Sequence, residues 1–414
     1  MASKFDAEAL ELHERHHGKL AITPTVPIAT RDDLSRAYTP GVAAPCLAIK
    51  DNPEKIYDYT TKGNMVAVVT NGTAVLGLGN IGAGAGLPVM EGKSILFKGF
   101  AGVDSVPVCV NSQKVEDVVK VCQLIAPTYG GINLEDIKAP QCFDIENELK
   151  KTLDIPVFHD DQHGTAIVVV SALLNAYKYL EKDLRTAKIV INGAGAAGQA
   201  IARLLFAYGA KTVVLCDTTG AVYEGRTENM NPYKDSLAKV SNRQKEKGSL
   251  AQVIKGKDIF IGVSAPGSLT QDMIRTMSPA PVVMAMANPV PEILPDEAKA
   301  AGARIVCTGR SDFPNQVNNL LAFPGIFRGA LDVRAKEINE EMKIAAAGAI
   351  ASLIPESELN ETNIIASPLD PRVAPTVAAA VAKAALDTGV ARRKDLTPED
   401  VANHTRELLG HAVG

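Results

Sequence analysis

Residues 188–205 read KIVINGAGAAGQAIARLL, and this stretch decides the fold. The apolar run 188–192 predicts a strand, and the Ala-rich run that follows the glycines predicts a helix. Gly193 permits a tight turn, Gly195 lets the backbone approach a pyrophosphate, and Gly198 allows the helix to pack closely on the strand. The stretch therefore predicts a dinucleotide-binding βαβ unit with the phosphates at the helix start. The residues assigned to the cofactor are Gly193, Ala194, Gly195, Ala196, Ala197 and Gly198.

A carboxylate ends the next predicted strand, 212–217. Asp217 follows Gly198 by 19 residues, near the spacing at which an acidic side chain contacts the ribose 2′-hydroxyl. That carboxylate would repel a 2′-phosphate, and Thr218 and Thr219 supply no cation. The sequence therefore favours NAD, with NADP possible. The alternative is a Gly-rich turn that matches the pattern by coincidence.

A second stretch, GLGNIG at 77–82, has the same glycine spacing. It is followed by AGAGLP at 83–88, whose glycines and proline would spoil the first turn of a helix. No acidic residue ends a strand about 20 positions further on. We interpret this stretch as a closely packed, flexible turn leading to Lys93 and not as a second fingerprint.

The wider pattern is that of an α/β protein with more than one domain, since 414 residues exceed the usual size of a single core. From about residue 164, strands alternate with helices, which predicts a doubly wound parallel sheet. We expect an N-terminal α/β domain (1–162), a Rossmann-like nucleotide-binding domain with C-terminal helices (163–390) and a helical tail (391–414), with the substrate in the cleft between the domains. The predicted strands are 65–70, 105–110, 188–192, 212–217, 258–263, 282–287 and 304–307, and the predicted helices are 115–125, 337–353 and 373–386.

Composition excludes several classes of function. The net charge of −4 offers no basic surface for nucleic acid. The apolar runs are too short to span a membrane, and the N-terminus lacks the apolar core of a signal peptide. Six cysteines without a CxxC pair fit a reduced, cytoplasmic protein with buried thiols.

Two acidic doublets, Glu135-Asp136 and Asp160-Asp161, each follow an apolar run and precede a predicted helix. Carboxylates at strand ends suit a hard cation such as Mg²⁺ or Mn²⁺. The alternative is helix N-capping by Asp136 and Asp161, and spacing alone does not decide between them. His159 and His163 lie four apart, but zinc would need a third ligand on the same helix face, so we favour one exposed and one structural histidine.

Four other side chains carry weaker signals. Lys93 lies between a loop and a predicted strand; a partly desolvated lysine near a cation has a lowered pKa and can act as a base, although most lysines are simply solvated. Tyr38 precedes a proline turn, where packing is the commoner role. Asn288 ends a predicted strand, and its alternative role is simply to start a turn. The Asn318-Asn319 pair could bind a ligand or could equally cap a helix.

Together these segments resemble the malic enzymes, specifically the small bacterial type. With no acyltransferase-like domain following, the chain is similar to the short, single-function form. The stretches that carry the resemblance, in the family's order, are SRAYTPGVA (35–43), LGLGNIG (76–82), MEGKS (90–94), NLED (133–136), FHDDQHGTA (158–166) and NNLLAFPG (318–325).

The resemblance implies oxidative decarboxylation of L-malate to pyruvate and CO₂ by a homodimer, with NAD(P)⁺ and a divalent metal ion. It also implies roles for single residues. These are Tyr38 as general acid, Lys93 as general base, Asp160 as the support of the lysine, Glu135, Asp136 and Asp161 as metal ligands, and Asn288 and Asn319 near substrate and nicotinamide. Larger members of the family carry a substrate-binding arginine where this chain has Ala74.

Two other functions stay open at this point. A metal- and NAD-dependent dehydrogenase could decarboxylate another 2-hydroxy acid such as tartrate, with oxaloacetate decarboxylation as a side activity. A nucleotide-sensing protein could keep the fold without catalysis, but it would need altered catalytic positions, and Tyr38, Lys93 and the four carboxylates are intact.

Overall fold

The computed structural model describes residues 4–75 and 77–411, and its strands form two mainly parallel sheets. The first sheet has the order β2-β1-β3-β4, and the second has the order β10-β9-β8-β5-β6-β7 with only β7 antiparallel to its neighbour. The strands are β1 (Met65–Thr70), β2 (Asp104–Cys109), β3 (Gly131–Leu134), β4 (Val157–His159), β5 (Lys188–Asn192), β6 (Thr212–Asp217), β7 (Gly220–Ala221), β8 (Ile259–Gly262), β9 (Val282–Ala285) and β10 (Ile305–Thr308).

Helices cover both sheets and link them. They are α1 (Lys4–His16), α2 (Arg31–Ala37), α3 (Ala43–Asp51), α4 (Ile56–Tyr59), α5 (Ala83–Ala101), α6 (Val115–Ile125), α7 (Gln141–Thr152), α8 (Asp160–Tyr179), α9 (Ala196–Tyr208), α10 (Pro232–Ala238), α11 (Leu250–Val253), α12 (Gln271–Arg275), α13 (Pro295–Ala300), α14 (Phe323–Asp332), α15 (Glu340–Ser352), α16 (Val373–Asp387) and α17 (Pro398–His411). No helix of the described ranges is long and apolar enough to cross a membrane.

The expected α/β architecture is confirmed, because apolar strands buried on both faces pair in parallel. The helix 115–125 and the strands 65–70, 188–192 and 212–217 have the predicted bounds, and the other predicted strands differ only at their ends. The proposed domain boundary at residue 162 falls inside α8, which runs from the end of the first sheet into the core of the second. The domain bounds stay a prediction.

One prediction about the second glycine stretch is wrong. Helix α5 starts at Ala83, directly after Gly82, and continues through Pro88. Burial outweighs the poor helix propensity here: Gly86 packs against Val75, and Phe97 of the same helix packs edge-on against Phe323, with ring centroids 4.8 Å apart. Lys93 therefore lies on a rigid helix.

Residues 5–61, which we call the N-terminal arm, contain no buried residue. The arm is tied to the rest of the chain at two places. Near its start, the Lys19 backbone N–H donates to Glu91 Oε2 at 3.0 Å, and near its end Arg392 donates to the Tyr57 hydroxyl at 3.0 Å. Large apolar side chains along the arm, such as Ile22 and Leu47, are more than half exposed. Such an extended apolar surface is typical of an interface.

All six cysteines are free thiols. Four of them are buried, as expected, whereas Cys46 is exposed and Cys109 is partly exposed.

Candidate active site

The two acidic doublets lie side by side because they follow neighbouring parallel strands. Glu135 follows β3 and Asp160 follows β4, and the two strands pair with Leu134 opposite His159. Oxygen atoms of Glu135, Asp136 and Asp161 lie within 4.8 Å of one another. Parallel strands end at the same sheet edge, so their polar residues meet there.

Helix capping does not explain these carboxylates. Helix α8 starts at Asp160 with His159 as its N-cap, and α7 starts at Gln141 with Pro140 as its N-cap, and neither cap residue makes a side-chain cap bond. Asp136 adopts a left-handed backbone (φ +54°), and its N–H donates to Asp161 Oδ2 at 2.9 Å. The capping alternative is therefore wrong, and the doublets are held together by contacts with each other.

Lys93 reaches this cluster from α5. Its Nζ lies 2.7 Å from Asp160 Oδ2 and 3.0 Å from Glu135 Oε1, and 4.2 Å from the ring centroid of Phe323. Burial lowers the pKa of Lys93, but the charges of Asp160 and Glu135 outweigh burial and raise the pKa above its usual value. The carboxylates hold the proton on the amine, and the lowered pKa that we expect beside a bound cation stays a prediction.

The charges of the cluster fit a divalent cation. Four carboxylates meet a single lysine ammonium here, so the group carries a net charge of about −3 when all are ionised. Burial and the neighbouring carboxylates raise the pKa of Glu135 well above its usual value, although Lys93 opposes them. Carboxylate oxygens are the ligands that Mg²⁺ and Mn²⁺ prefer. Glu135, Asp136 and Asp161 would hold such an ion, and its charge would relieve their repulsion.

Loops from the second sheet close the cavity of about 350 Å³ around the cluster. Asn319 donates from Nδ2 to Asp160 Oδ2 at 3.1 Å, and its Oδ1 accepts from Thr165 at 3.2 Å. Asn318 supplies the capping bond of this segment, to the Leu320 N–H, so the adjacent asparagines have separate roles. Ala74 and Asn288 both line this cavity. The full set of lining residues is Ala74, Lys93, Glu135, Asp136, Asp160, Asp161, Thr165, Met286, Asn288, Gly309, Val317, Asn318 and Asn319.

The glycine turn after β5 lines a second cavity, of about 630 Å³. Gly193 has a φ of +126°, which favours glycine, and a Cβ at Gly198 would lie 1.7 Å from the Gly193 carbonyl oxygen. A Cβ at Gly195 would meet nothing within 4 Å, as expected for a residue that faces the open cavity. Helix α9 starts at Ala196, so its first N–H groups point to the space where a pyrophosphate would bind.

Asp217 also lines this second cavity, but its surroundings differ from the expectation. Thr218 and Thr219 supply no cation, but Arg226 and Lys234, which lie further along the chain, both pair with the carboxylate. Arg226 Nη2 lies 2.5 Å and Lys234 Nζ 2.7 Å from Asp217 Oδ2. Burial raises the pKa of Asp217, but the bonds from Arg226 and Lys234 outweigh burial and lower the pKa well below its usual range.

Comparison with known proteins agrees with this geometry. Residues 17–150 match the family model "Malic enzyme, N-terminal domain", and residues 162–386 match "Malic enzyme, NAD binding domain". The chain belongs to the malic enzymes. The resemblance stated from the sequence is confirmed, and a nicotinamide dinucleotide is the cofactor that this family's second domain binds.

Two curated malic enzymes and one solved structure are similar over most of this chain. The "Bifunctional malic/malolactic enzyme" of Bacillus subtilis is 59% identical, with 97% of this chain and 98% of that protein covered. An "NADP-dependent malic enzyme" of Rhizobium meliloti is 52% identical, with 95% of this chain and 54% of that protein covered. The crystal structure of malic enzyme from Pyrococcus horikoshii is 48% identical, has a TM-score of 0.94 and covers 98% of this chain and 95% of its own.

Of the residues to which the resemblance assigns catalytic, metal-binding or substrate-binding roles, Tyr38 is the one that does not line the cavity around Lys93. It lies at the end of α2 in the N-terminal arm and is 72% exposed. It does not line the cavity that Lys93 and the carboxylates share. The packing role that its sequence context suggested is not observed either.

The two histidines are both structural, so the expectation of one exposed histidine is wrong. His159 is fully buried, and its Nε2 lies 3.2 Å from Asp161 Oδ2. His163 Nε2 lies 2.7 Å from Glu146, and His163 Nδ1 lies 3.1 Å from the ammonium of Lys343. His159 therefore supports Asp161 of the carboxylate cluster, and His163 joins α8 to α7 and α15.

Glu292 is a site residue that the sequence did not single out. It is fully buried and accepts the N–H of Ser264 and the N–H of Ala287, each at 3.0 Å. Ser264 lines the cavity beside the glycine turn, and Ala287 directly precedes Asn288, which lines the cavity around Lys93. A single carboxylate thus holds the loops of both cavities, and only its burial beside a glycine, Gly262, makes this possible.

Proposed function

We propose that this malic enzyme oxidises and decarboxylates L-malate to pyruvate and CO₂, with reduction of NAD⁺ and, less well, of NADP⁺, and with Mg²⁺ or Mn²⁺ as its metal. The observation that carries the proposal is the contact of Lys93 with both Asp160 and Glu135, beside three carboxylates spaced as metal ligands. Glu292 links the nucleotide cavity to the cavity around Lys93, because it accepts the N–H of Ser264 on one side and the N–H of Ala287 on the other.

In this proposal Lys93 accepts the C2 hydroxyl proton of malate, and Asp160 and Asn319 keep its amine in place. A bound Mg²⁺ or Mn²⁺ would polarise the hydroxyl and offset the carboxylates' pull on the lysine proton, and NAD⁺ would take the hydride. The amide of Asn288 contacts the substrate or the nicotinamide from the other side of the cavity. After the C4 carboxylate leaves as CO₂, the Tyr38 hydroxyl protonates C3 of enolpyruvate.

Tyr38 can take this role if a second copy of the chain supplies it. The N-terminal arm has no buried residue, exposes large apolar side chains, and keeps Tyr38 away from its own Lys93 cavity. Burying that surface against another copy would stabilise the arm, since each Å² of apolar surface contributes about 25 cal/mol. We therefore propose a homodimer in which each arm completes the partner's site. A cytoplasmic location accords with six free cysteines.

The direct test is the formation of NADH from L-malate with and without Mn²⁺, with the product identified as pyruvate. Metal-dependent NADH formation with equimolar pyruvate supports the proposal. Measuring kcat/KM for tartrate and for longer 2-hydroxy acids tests the choice of substrate. An acid with a higher kcat/KM than malate would take the place of malate as the proposed substrate. Binding of NAD without turnover of any acid would instead support a nucleotide-sensing role.

A second activity is favoured by the 59% identical bifunctional malic/malolactic relative. The same groups, acting in reverse, could return the hydride to C2 of pyruvate and the proton from Lys93 to the oxygen on C2 before the nucleotide leaves. Malate would then give lactate and CO₂ with no net change in NAD⁺. Incubation of malate with far less NAD⁺ than substrate, followed by measurement of lactate, separates this activity from release of pyruvate.

A further inference from the structure

Asn133 lies on β3, two residues before Glu135 of the carboxylate cluster. Side chains two apart along a strand face the same side of the sheet, so the Asn133 amide lies beside the Glu135 side chain. Its Nδ2 donates to Glu135 Oε2 at 2.8 Å. The direction of this bond follows from the chemistry, because an ionised carboxylate only accepts hydrogen bonds and the amide nitrogen is the donor of asparagine.

The surroundings of the Asn133 side chain are otherwise apolar. Its neighbours across the sheet are Val68 on β1 and Phe158 on β4, and both are fully buried in the apolar core. Asn133 is fully buried as well, and its Oδ1 accepts no hydrogen bond from the described residues. Burying an amide oxygen without a donor costs free energy, so the stability of the sheet does not explain an asparagine at this position.

The bond from Asn133 divides the two oxygens of Glu135 between two partners. Oε1 lies 3.0 Å from Lys93 Nζ, whereas Oε2 accepts from Asn133. The backbone of Glu135 is fixed, since its N–H donates to the Val69 carbonyl oxygen at 2.9 Å. Without the amide, the carboxylate would be free to turn both of its oxygens to the Lys93 ammonium, which has three N–H donors.

We propose that Asn133 is a positioning residue that holds the Glu135 carboxylate in place for the divalent metal ion and keeps it from closing on Lys93. Glu135, Asp136 and Asp161 then present oxygen atoms within 4.8 Å of one another. A side chain that orients a metal ligand changes the metal affinity although it does not touch the ion. The inference rests on the proposed function for the metal ion that the cluster binds.

Binding of Mn²⁺ to the enzyme without nucleotide or acid tests the proposal without turnover. Electron paramagnetic resonance measures free Mn²⁺, and so its dissociation constant, for the wild type and for Asn133→Leu, Asn133→Ala and Asn133→Gln. Loss of the amide in Asn133→Leu and Asn133→Ala should raise that constant about ten- to a hundredfold. Asn133→Gln keeps an amide donor and should retain most of the affinity. Two variants without the amide are used so that the result does not depend on the fit of leucine in the core.

Asn175→Leu is the matched control. Asn175 is also a buried asparagine, and its Nδ2 donates to the carbonyl oxygens of Ala351 and Ile364, at 2.9 and 3.0 Å. This variant should lose thermal stability but keep its Mn²⁺ dissociation constant within about twofold, because it shares no partner with the carboxylates. The affinity for NAD should also stay within about twofold in every variant, since neither asparagine lines the nucleotide cavity.

The outcomes are distinct. An unchanged Mn²⁺ dissociation constant in the Asn133→Leu and Asn133→Ala variants, shown to be folded by circular dichroism, would overturn the proposal. Equal weakening of Mn²⁺ and NAD binding would mean a structural role only and would overturn it as well. A wild type that binds no Mn²⁺ would refute both this inference and the metal ion of the proposed function. A wild type that binds Mn²⁺ but oxidises no 2-hydroxy acid would refute only the proposed reaction, and the dissociation constants would still decide the role of Asn133.

Discussion

Lys93 and Asp160 form a buried ion pair, with 2.7 Å between Nζ and Oδ2, although they lie on different elements, α5 and α8. Phe97, one turn beyond Lys93, anchors α5 in the core, and Asn319 donates to the same Asp160 oxygen at 3.1 Å. The position of the amine is therefore set by packing on one side and by hydrogen bonds on the other. Such preorganisation is what proton transfer at a fixed atom requires.

Lys93→Ala should abolish malate oxidation and leave NAD binding intact. Removing a positioned base typically costs a factor of about 10² to 10⁴ in kcat. Steady-state NADH formation gives kcat, and titration with NAD gives the binding constant. Lys98→Ala is the control, because Lys98 lies on the same helix but is exposed and pairs with Asp104. Normal turnover of Lys93→Ala would refute the role of the lysine.

Gly164→Ala should lower activity although alanine favours helices. Gly164 lies inside α8, and a Cβ there would be 1.9 Å from Asp160 Oδ1, so the carboxylate must turn away from Lys93. A misplacement of about 1 Å can cost a factor of about 10² in rate. The control is Gly348→Ala in α15, where a Cβ meets nothing within 4 Å and the free energy of unfolding should rise by about 0.5–1 kcal/mol. Equal activities of the two variants would contradict the clash.

Removing the divalent metal should abolish turnover. Chelation followed by addition of Mn²⁺ should restore it, and Asp136→Asn should raise the Mn²⁺ concentration for half-maximal rate by at least about tenfold. Asp395→Asn serves as the control, since Asp395 is exposed and bonds only Arg393 among the described residues. Full activity after exhaustive chelation, checked by elemental analysis, would exclude a metal-dependent mechanism.

Mixed dimers should reveal whether Tyr38 acts on the partner's site. Tyr38→Phe and Lys93→Ala chains are each expected to be inactive alone. If each site combines Tyr38 of one chain with Lys93 of the other, one of the two sites in a mixed dimer is intact. Random mixing should then give about a quarter of wild-type activity, since half the dimers are mixed. No recovery in dimers shown to be mixed by differential tagging would place Tyr38 in its own chain's site.

Much of the fold and part of the site could be predicted from the sequence, because buried strands and glycine turns leave recognisable local patterns. Buried parallel strands leave continuous apolar runs, so the strand 188–192 and the carboxylates after β3 and β4 could be located. Gly193 and Gly198 were identifiable because a positive φ and a close backbone contact admit only glycine.

The remainder depended on contacts distant in sequence. Helix α5 forms against the propensity of Pro88 because its buried face packs on the core. Arg226 and Lys234 lie 9 and 17 residues after Asp217, with no spacing rule that links them to it. Tyr38 is exposed because the whole N-terminal arm lies on the surface, with no buried residue from 5 to 61. A local sequence pattern does not predict contacts between residues that lie far apart in the sequence.

The bridge that Glu292 makes between Ser264 and Ala287 has a thermodynamic consequence. Because one carboxylate holds both loops, a dinucleotide that orders the Ser264 loop reduces the entropy that the Asn288 loop must lose when the acid binds. Linkage requires the effect to be reciprocal, so malate should raise the affinity for the nucleotide by the same factor as the nucleotide raises the affinity for malate. Glu292 would then make the two ligands bind as a cooperative pair.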